Sequence, residues 1–347
     1  MRVLVWNGPW DLTVANREDP EPGPGDVLIT VAAAGICGSD VHGFTGENGR
    51  RTPGQVMGHE MVGHVAAVGA DVTGIAPGDL VTVNPLLACG RCAACAADAE
   101  QSCADRRVIG VNPEIVSAFA ESLLAPASNV VVLPPTMPLE YGALVEPLSV
   151  GYHAARRGGC SADDAVLVIG GGPIGQACVL AARRLGATRV AVSELDGRRR
   201  ALAASLGATP VDPAVDGAGD GSVAGALGGR ATLVLDAVGS TASIEAAAAG
   251  SGFGARIVLV GMNSPRIDLP AYAVSTEERT LVGSFCYSAR DFRETAQWVG
   301  TAPAELARLV DGRVDMAGAP EAFAELASGR SGKSKVLVFP HGVPAGR

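Results

Sequence analysis

The sequence has no excess of basic residues: 27 Lys and Arg stand against 36 Asp and Glu, and the formal net charge is −9. Because nucleic acids and anionic membrane surfaces attract positively charged proteins, we expect neither as the main partner. No run approaches the ~18 apolar residues of a membrane-spanning helix. The first residues, MRVLVWNGPWDLTV, form a short apolar run that Asp11 interrupts, which is not typical of a secretory signal. We therefore expect no membrane association and a cytoplasmic location.

Internal repeats and low-complexity blocks are also absent, because the 46 glycines and 22 prolines are spread along the chain. Hydrophobic residues make up 48% and charged residues 18% of the sequence, a composition typical of folded domains and not of disordered chains. The length of 347 residues suggests about two domains.

The rhythm of the sequence changes near Gly159. Before it, short β-branched runs such as DVLITVAAAG and DLVTVNP are broken by Gly and Pro, which predicts antiparallel strands in a partly open barrel or sandwich. After it, runs such as AVLVIG and ATLVLDAVG alternate with helical segments, which predicts a doubly wound parallel sheet of the α/β class. We expect a first domain at residues 1–153, a nucleotide-binding domain at 154–285, and a segment at 286–347 that returns to the first domain.

A glycine-rich loop follows the first strand of the second pattern. In VLVIGGGPIGQA, Gly170, Gly172 and Gly175 form a G-x-G-x-x-G motif that opens a predicted helix. The first glycine allows a tight turn, the second lets the backbone approach a pyrophosphate, and the third lets helix and strand pack closely. The motif predicts dinucleotide binding, with Pro173 and Ile174 at the start of the helix that faces the phosphates.

The next predicted strand suggests which dinucleotide binds. Glu194 stands nineteen residues after Gly175 and can accept hydrogen bonds from the adenosine ribose. Its carboxylate would repel a 2′-phosphate, so NAD is favoured over NADP. Three arginines, 198 to 200, argue the other way, since they can hold a phosphate. Arg199 is alternatively expected to stack on adenine, and Val260 is also predicted to contact the cofactor.

Four of the eight cysteines form a compact motif. The segment CGRCAACAADAEQSC has the spacing C-x2-C-x2-C-x7-C, formed by Cys89, Cys92, Cys95 and Cys103. Four thiolates can close a tetrahedron about zinc and leave no open position, which predicts a structural site. An iron–sulfur cluster and two disulfides are the alternatives. The long last interval and the missing downstream proline disfavour the cluster.

These motifs together resemble a known family. GICGSD around Cys37, GHE at His59 and Glu60, the four-cysteine segment and GGGPIG resemble the zinc-dependent medium-chain alcohol dehydrogenases. ALVEPLSVGYHAARRGG is similar to the sorbitol, or polyol, dehydrogenase branch. The resemblance implies a GroES-like, partly open β-barrel catalytic domain and a Rossmann domain, with two zinc ions per subunit.

The resemblance also implies a ligand set for a catalytic zinc. Cys37 and His59 match two ligands, and Glu146 of EPLSV matches the third. Glu60 is expected near the metal, as an exchangeable ligand or a neighbour of the ligands. Asp40 is expected to orient His59 through the free ring N–H.

A zinc with three protein ligands keeps a fourth position for an alcohol and lowers the pKa of its hydroxyl. Ser39 and His42 match the proton relay of the family, in which Ser39 receives the proton and His42 passes it toward solvent. Without the resemblance, the residues alone favour other roles: Ser39 and Asp40 as turn formers, His42 as a surface side chain, and Glu146 as an acid at a helix start before Pro147.

The expected reaction is hydride transfer between NAD and a secondary alcohol, such as a polyol, a cyclitol, a sugar derivative or a small diol. A threonine-type amino alcohol dehydrogenase, an NADPH-dependent ketone reductase and a non-catalytic protein on the same fold are the alternatives. Sorbitol dehydrogenases carry an arginine where this chain has Cys286, which puts sorbitol itself in doubt. The segment from Gly43 to Arg51 is expected at the pocket mouth, where Arg50 or Arg51 either meets an anionic or polyhydroxylated substrate or lies in a surface loop. The family resemblance implies a homodimer or a homotetramer.

Overall fold

The computed structural model describes residues 1–47, 49–214, 220–329 and 332–344. The chain divides into two compact units, one formed by Met1–Glu146 with Ser288–Arg347 and the other by Pro147–Tyr287. Within the described ranges, no helix is both long and apolar enough to cross a membrane.

The N-terminal part of the first unit is mainly β-structure. Its strands are β1 (Arg2–Gly8), β2 (Asp11–Asn16), β3 (Asp26–Gly35), β4 (Gln55–Val56), β5 (Glu60–Val68), β6 (Leu80–Val83), β7 (Leu86–Leu87), β8 (Arg107–Val108), β9 (Ser122–Pro126) and β10 (Val130–Val132). Its helices are α1 (Gly38–Thr45) and α2 (Ala93–Ala96), with 3-10 turns at Glu100–Ser102, Ala127–Asn129 and Leu139–Leu144.

The second unit alternates helices and strands. Its helices are α3 (Val145–Arg157), whose first two residues belong to the first unit, α4 (Pro173–Arg184), α5 (Gly197–Ser205), α6 (Asp220–Leu227), α7 (Thr241–Gly250) and α8 (Ala271–Thr276). Its strands are β11 (Ala165–Ile169), β12 (Arg189–Ser193), β13 (Thr209–Val211), β14 (Ala231–Asp236), β15 (Ser251–Leu259) and β16 (Thr280–Gly283).

The C-terminal segment completes the first unit. It contains α9 (Ala289–Gly300), a 3-10 turn at Ala304–Arg308, β17 (Gly312–Asp315), α10 (Ala319–Ala327) and β18 (Val336–Phe339). Strand β18 pairs antiparallel with β3, which extends the larger sheet to the order β10-β6-β5-β3-β18-β17, and β9 also pairs with β3. The first unit therefore contains strands from both ends of the sequence.

Strand β3 shows why this sheet forms and how it positions polar side chains. Along its first residues buried and half-buried positions alternate, so one face packs into a core with Val27, Ile29 and Val31. At its end, Gly35 lies opposite Glu60 of β5 and Leu337 of β18. The ends of three strands thus bring distant parts of the sequence together.

The second unit contains a six-stranded sheet in the order β13-β12-β11-β14-β15-β16, in which every pairing is parallel. All five residues of β11 are buried, as expected for a central strand covered by helices on both faces. The order reverses between β11 and β14, the switch point at which such sheets bind nucleotides. The predicted α/β fold class, with a doubly wound parallel sheet, is confirmed.

Candidate active site

Three potential metal ligands converge at the ends of β3 and β5. One ligand atom each from Cys37, His59 and Glu60 lies within 4.8 Å of the other two. Cys37 precedes α1, and its backbone N–H donates to Asp40 Oδ2 at 3.2 Å, which fixes the first turn of that helix. Because Asp40, His59 and Glu60 are buried, the cluster is a polar site inside an apolar unit.

The charges around His59 favour a cation. Burial alone would lower the pKa of His59, but the negative charge of Asp40 and the hydrogen bond and charge of Cys37 raise it well above its ordinary value. His59 Nδ1 and Asp40 Oδ1 are 3.6 Å apart. A buried imidazole, a cysteine sulfur and a carboxylate together form a donor set that suits Zn²⁺.

Glu60 is held by a lysine that the sequence analysis missed. Lys335 Nζ donates to both carboxylate oxygens of Glu60, at 2.7 and 2.5 Å, and to the carbonyl of Ile36 at 3.2 Å. Burial would lower the pKa of Lys335, but the negative charges of Glu60 and Cys37 raise it above its ordinary value. Gly35 allows this arrangement, since a Cβ there would lie 2.1 Å from Glu60 Oε2.

Glu146, the third ligand implied by the resemblance, lies near this cluster but outside the group of atoms within 4.8 Å. It is buried, and its negative charge contributes to the raised pKa of both His59 and Lys335. In the structure, the carboxylate that completes the compact group is therefore that of Glu60.

The two residues assigned to the proton relay lie on α1. Ser39 and His42 are exposed, and a separation of three residues puts them on the same face of the helix. The helix starts directly after Cys37, so the relay candidates and one ligand candidate share a single turn-and-helix segment.

The four-cysteine segment forms a second cluster, in which all four Sγ atoms lie within 4.8 Å of one another. The Cys92 and Cys95 sulfurs are 3.5 Å apart and those of Cys89 and Cys95 are 3.9 Å apart, and none of the eight cysteines forms a disulfide bond. A zinc tetrahedron with Zn–S bonds of about 2.3 Å has edges of about 3.8 Å. The spacing of the sulfurs fits that tetrahedron and does not fit disulfide bonds.

Backbone hydrogen bonds favour the thiolate form of one cysteine in this cluster. Hydrogen bonds from the amides of Arg91 and Cys92 lower the pKa of Cys89 to about 6. Burial and hydrogen bonds with the neighbouring cysteine side chains raise the pKa of Cys95 to about 12, so ionising this thiol is costly in the metal-free cluster. A cation among the four sulfurs would remove that cost.

The glycine-rich loop has the geometry that its motif predicts. Gly170 has φ +90°, and a Cβ on Gly175 would lie 1.8 Å from the carbonyl oxygen of Gly170. A Cβ on Gly172, which caps α4 ahead of Pro173, would meet no atom within 4 Å, so the loop is open at that point. An open loop before a helix N-terminus, with Ile174 in the first turn, suits a pyrophosphate.

Glu194 lies beside that loop at the end of β12. Its Oε2 accepts the Gly171 N–H at 2.6 Å and its Oε1 accepts the Asp196 N–H at 2.8 Å. Asp196 in turn caps α5 by accepting the N–H groups of Arg198 and Arg199 at 2.9 Å. Glu194 is only half-buried, so its carboxylate can still accept hydrogen bonds from ribose hydroxyls.

The three arginines do not form one phosphate-binding group. Arg200 donates to the carbonyls of Glu194 and Leu195 and pairs with Asp212 at 2.5 Å. Arg198 and Arg199 begin α5, and Arg199 is half-buried. Val260 follows β15 and is buried; its N–H donates to the carbonyl of Asp236 at 3.0 Å.

Comparison with known proteins identifies the family. The family model described as "Alcohol dehydrogenase GroES-like domain" matches residues 23–135, and that described as "Zinc-binding dehydrogenase" matches residues 173–301. The chain is 34% identical over 307 residues to sorbitol dehydrogenase of Macaca fascicularis, covering 82% of this chain and 81% of that protein. The chain belongs to the zinc-dependent alcohol dehydrogenase family.

Two further relatives of this dehydrogenase are also described as oxidoreductases. D-xylulose reductase A of Aspergillus niger is 31% identical over 322 residues, which cover 90% of this chain and 89% of that protein. A structure from Sinorhizobium meliloti, described as a zinc-binding dehydrogenase and bound to NADP, has a TM-score of 0.89 and 32% identity and covers 98% of this chain and 99% of its own. The predicted membership in the polyol branch of the family, and with it an oxidoreductase function, is confirmed.

Proposed function

We propose that this dehydrogenase transfers hydride between NAD and a secondary alcohol of a polyol, sugar derivative or small diol. The observation that carries the proposal is the convergence of thiol, imidazole and carboxylate at Cys37, His59 and Glu60 in a member of this family. The relatives named as acting on sorbitol and D-xylulose support a polyhydroxylated substrate.

The catalytic centre in this proposal consists of Cys37 and His59 with a carboxylate from Glu146, while Glu60 is the exchangeable fourth group. Zinc held there would lower the pKa of an alcohol hydroxyl, which favours loss of its proton near neutral pH. Asp40 keeps the His59 ring oriented, because its carboxylate faces Nδ1. Lys335 draws the Glu60 carboxylate toward itself and so influences whether Glu60 or Glu146 serves as ligand.

The proton released from the substrate passes to Ser39 and then to His42. Their exposure on one face of α1 supports this order, since the hydroxyl lies two residues from Cys37 and the imidazole reaches solvent. Both residues act as carriers, so replacing either is expected to slow turnover without removing the metal.

The second zinc is assigned to Cys89, Cys92, Cys95 and Cys103. A site with four protein ligands has no position for a substrate, and its role is to stabilise the segment between β7 and β8.

The cofactor is proposed to lie on Gly170, Gly172 and Gly175, with Glu194 binding the adenosine ribose. The Glu194 carboxylate, fixed by two backbone N–H groups, would lie beside a 2′-phosphate and repel it, which supports NAD. The NADP bound to the Sinorhizobium meliloti protein supports the alternative, in which Arg198 and Arg199 hold that phosphate. In the favoured arrangement Arg199 packs on adenine and Val260 near the nicotinamide half.

We further propose a cytoplasmic homodimer or homotetramer. None of the eight cysteines forms a disulfide bond, which supports a reducing compartment.

A substrate panel tests the proposal. Sorbitol, xylitol, a cyclitol, butane-2,3-diol and threonine are each offered with NAD and with NADP, and absorbance of the reduced cofactor is read at 340 nm. The proposal expects turnover of at least one polyol or diol, with kcat/KM at least ~10-fold higher for NAD than for NADP. Turnover of threonine alone, or a preference for NADP, contradicts it.

A further inference from the structure

The Arg51 side chain is buried and does not lie exposed in a surface loop. The segment from Gly43 to Arg51 was expected at a pocket mouth, but the Arg51 side chain is only 2% exposed. Asn48 of this segment lies outside the described residues. Burying an arginine costs free energy unless its charge and its N–H groups have partners. The contacts of Arg51 therefore show what its burial contributes.

The guanidinium contacts two separate parts of the first unit. Nη1 donates to the carbonyl of Gly110, and Nη2 donates to the carbonyl of Ser39 at 3.4 Å. The same Nη2 lies 3.6 Å from Asp40 Oδ1. Arg51 therefore connects the first turn of α1 with the loop that follows β8.

Two glycines show how closely Arg51 fits. A Cβ on Gly43 would lie 2.4 Å from Arg51 Nε, so α1 admits the guanidinium only because this position has no side chain. A Cβ on Gly110 would lie 2.6 Å from the carbonyl oxygen of Gly58 and 3.1 Å from His59 Cβ. The loop that accepts the Arg51 hydrogen bond thus packs directly against the backbone that carries His59.

Asp40 Oδ1 lies at equal distance from two nitrogen atoms, Arg51 Nη2 and His59 Nδ1, each 3.6 Å away. Among the described residues, this oxygen, His59 Nδ1 and Arg51 Nε are buried and make no hydrogen bond. The position of one carboxylate oxygen is therefore determined jointly by the arginine on one side and the imidazole on the other.

We propose that Arg51 is a positioning residue of the catalytic metal centre, which holds Asp40 in place for His59 and fixes α1, and with it Cys37, relative to the His59 backbone. The inference rests on the proposed function, because it takes Cys37 and His59 as ligands. Without Arg51, Asp40 loses the guanidinium that lies beside Oδ1, and its carboxylate can move toward His59. The ligands then lose their preorganisation, and the affinity for the metal falls.

The experiment measures zinc affinity in the full-length protein by competition with a chromophoric chelator. Wild type is compared with Arg51→Met, which has a similar stem and no charge, and with Arg51→Lys, which keeps the charge. The Cys37→Ser variant identifies the zinc that belongs to the four-cysteine site. Arg313→Met is the matched control, since Arg313 pairs with Glu140 in the same unit and does so near the surface.

We expect Arg51→Met to weaken zinc binding at the Cys37 site by about 10–100-fold, the range typical of residues that support metal ligands. Arg51→Lys should fall between that variant and wild type, because one ammonium cannot contact Gly110, Ser39 and Asp40 together. The four-cysteine site and the Arg313→Met control should stay within about twofold of wild type.

Two results would overturn the inference: Arg51→Met or Arg51→Lys binding zinc at the Cys37 site as tightly as wild type, or an equal loss at both zinc sites. The second result would show that Arg51 supports only the folding of the unit. If Arg51→Met fails to fold, Arg51→Lys alone decides by the same criterion. These results can be distinguished from a failure of the proposed function. In that case the wild-type protein itself would bind only one zinc or would oxidise no alcohol.

Discussion

Replacing Lys335 by methionine tests how the buried carboxylate of the metal centre is stabilised. Methionine has a similar length, so the change mainly removes the ammonium that contacts both oxygens of Glu60. The two side chains are 3% and 1% exposed, so water cannot replace the lost partner. Breaking a buried ion pair by removing one partner costs about 3–5 kcal/mol, and we expect a loss of that size in the metal-free protein.

Removing both charges should cost less than the two single changes suggest. In the double variant Lys335→Met/Glu60→Gln, both the ammonium and the carboxylate of this buried pair are removed. We expect its stability to exceed the additive value by about 1–3 kcal/mol, the usual coupling between contacting residues.

Tryptophan fluorescence suits this measurement, because Trp6, Trp10 and Trp298 are the three tryptophans of the sequence and all belong to the first unit. Urea unfolding of chelator-treated protein at pH 7 then gives the stability of that unit. Lys333→Met is the control, since Lys333 pairs with Glu325 at the surface, where an ion pair contributes at most about 1 kcal/mol. If Lys335→Met is no less stable than Lys333→Met, the reasoning is refuted.

Three further changes have outcomes that follow from the structure. In Gly175→Ala the new Cβ would lie 1.8 Å from the Gly170 carbonyl oxygen, so calorimetric titration should show NAD binding weakened at least ~10-fold; unchanged affinity would contradict the loop geometry. Cys103→Ser removes a buried thiol, and metal analysis should find one zinc fewer per chain with a lower Tm; a full zinc content would contradict the four-cysteine site. Burial would raise the pKa of Asp164, but hydrogen bonds from Thr232 and Ser161 and the charge of Arg256 lower it. The ionised carboxylate therefore stabilises the fold above its unfolded-state pKa of about 3.9. This stabilisation is lost as the pH falls through the lower folded-state pKa. Thermal melts followed by circular dichroism should therefore show Asp164→Asn less stable than wild type at pH 6, with the difference shrinking below about pH 4; a difference independent of pH would contradict the assignment.

The parts of the molecule that follow local rules were predictable from the sequence. The alternation of apolar runs and helical segments after Gly159 predicts a parallel sheet, and the structure has one. The glycine motif specifies its own backbone, since Gly170 needs a positive φ and Gly175 has no room for a side chain. Such constraints act within a few residues, so a local pattern reveals them.

The side chains that support the metal centre were not predictable in this way. Lys335 is 275 residues from Glu60 in the sequence, and they meet because β3 pairs with both β18 and β5. In the sequence, Arg51 is one of two adjacent arginines in a glycine-rich segment. Its inward orientation depends on the missing side chain at Gly43. The apolar run VLVF directly after Lys335 was a signal in the sequence, since such a run is typical of a buried strand.

Zinc content, measured together with cofactor binding, tests the central claim most directly. The account predicts two zinc ions per chain in active wild-type protein. In Cys37→Ser it predicts one zinc, no measurable alcohol oxidation and unchanged NAD affinity. A Cys37→Ser protein that keeps both zinc ions and full turnover would contradict the account.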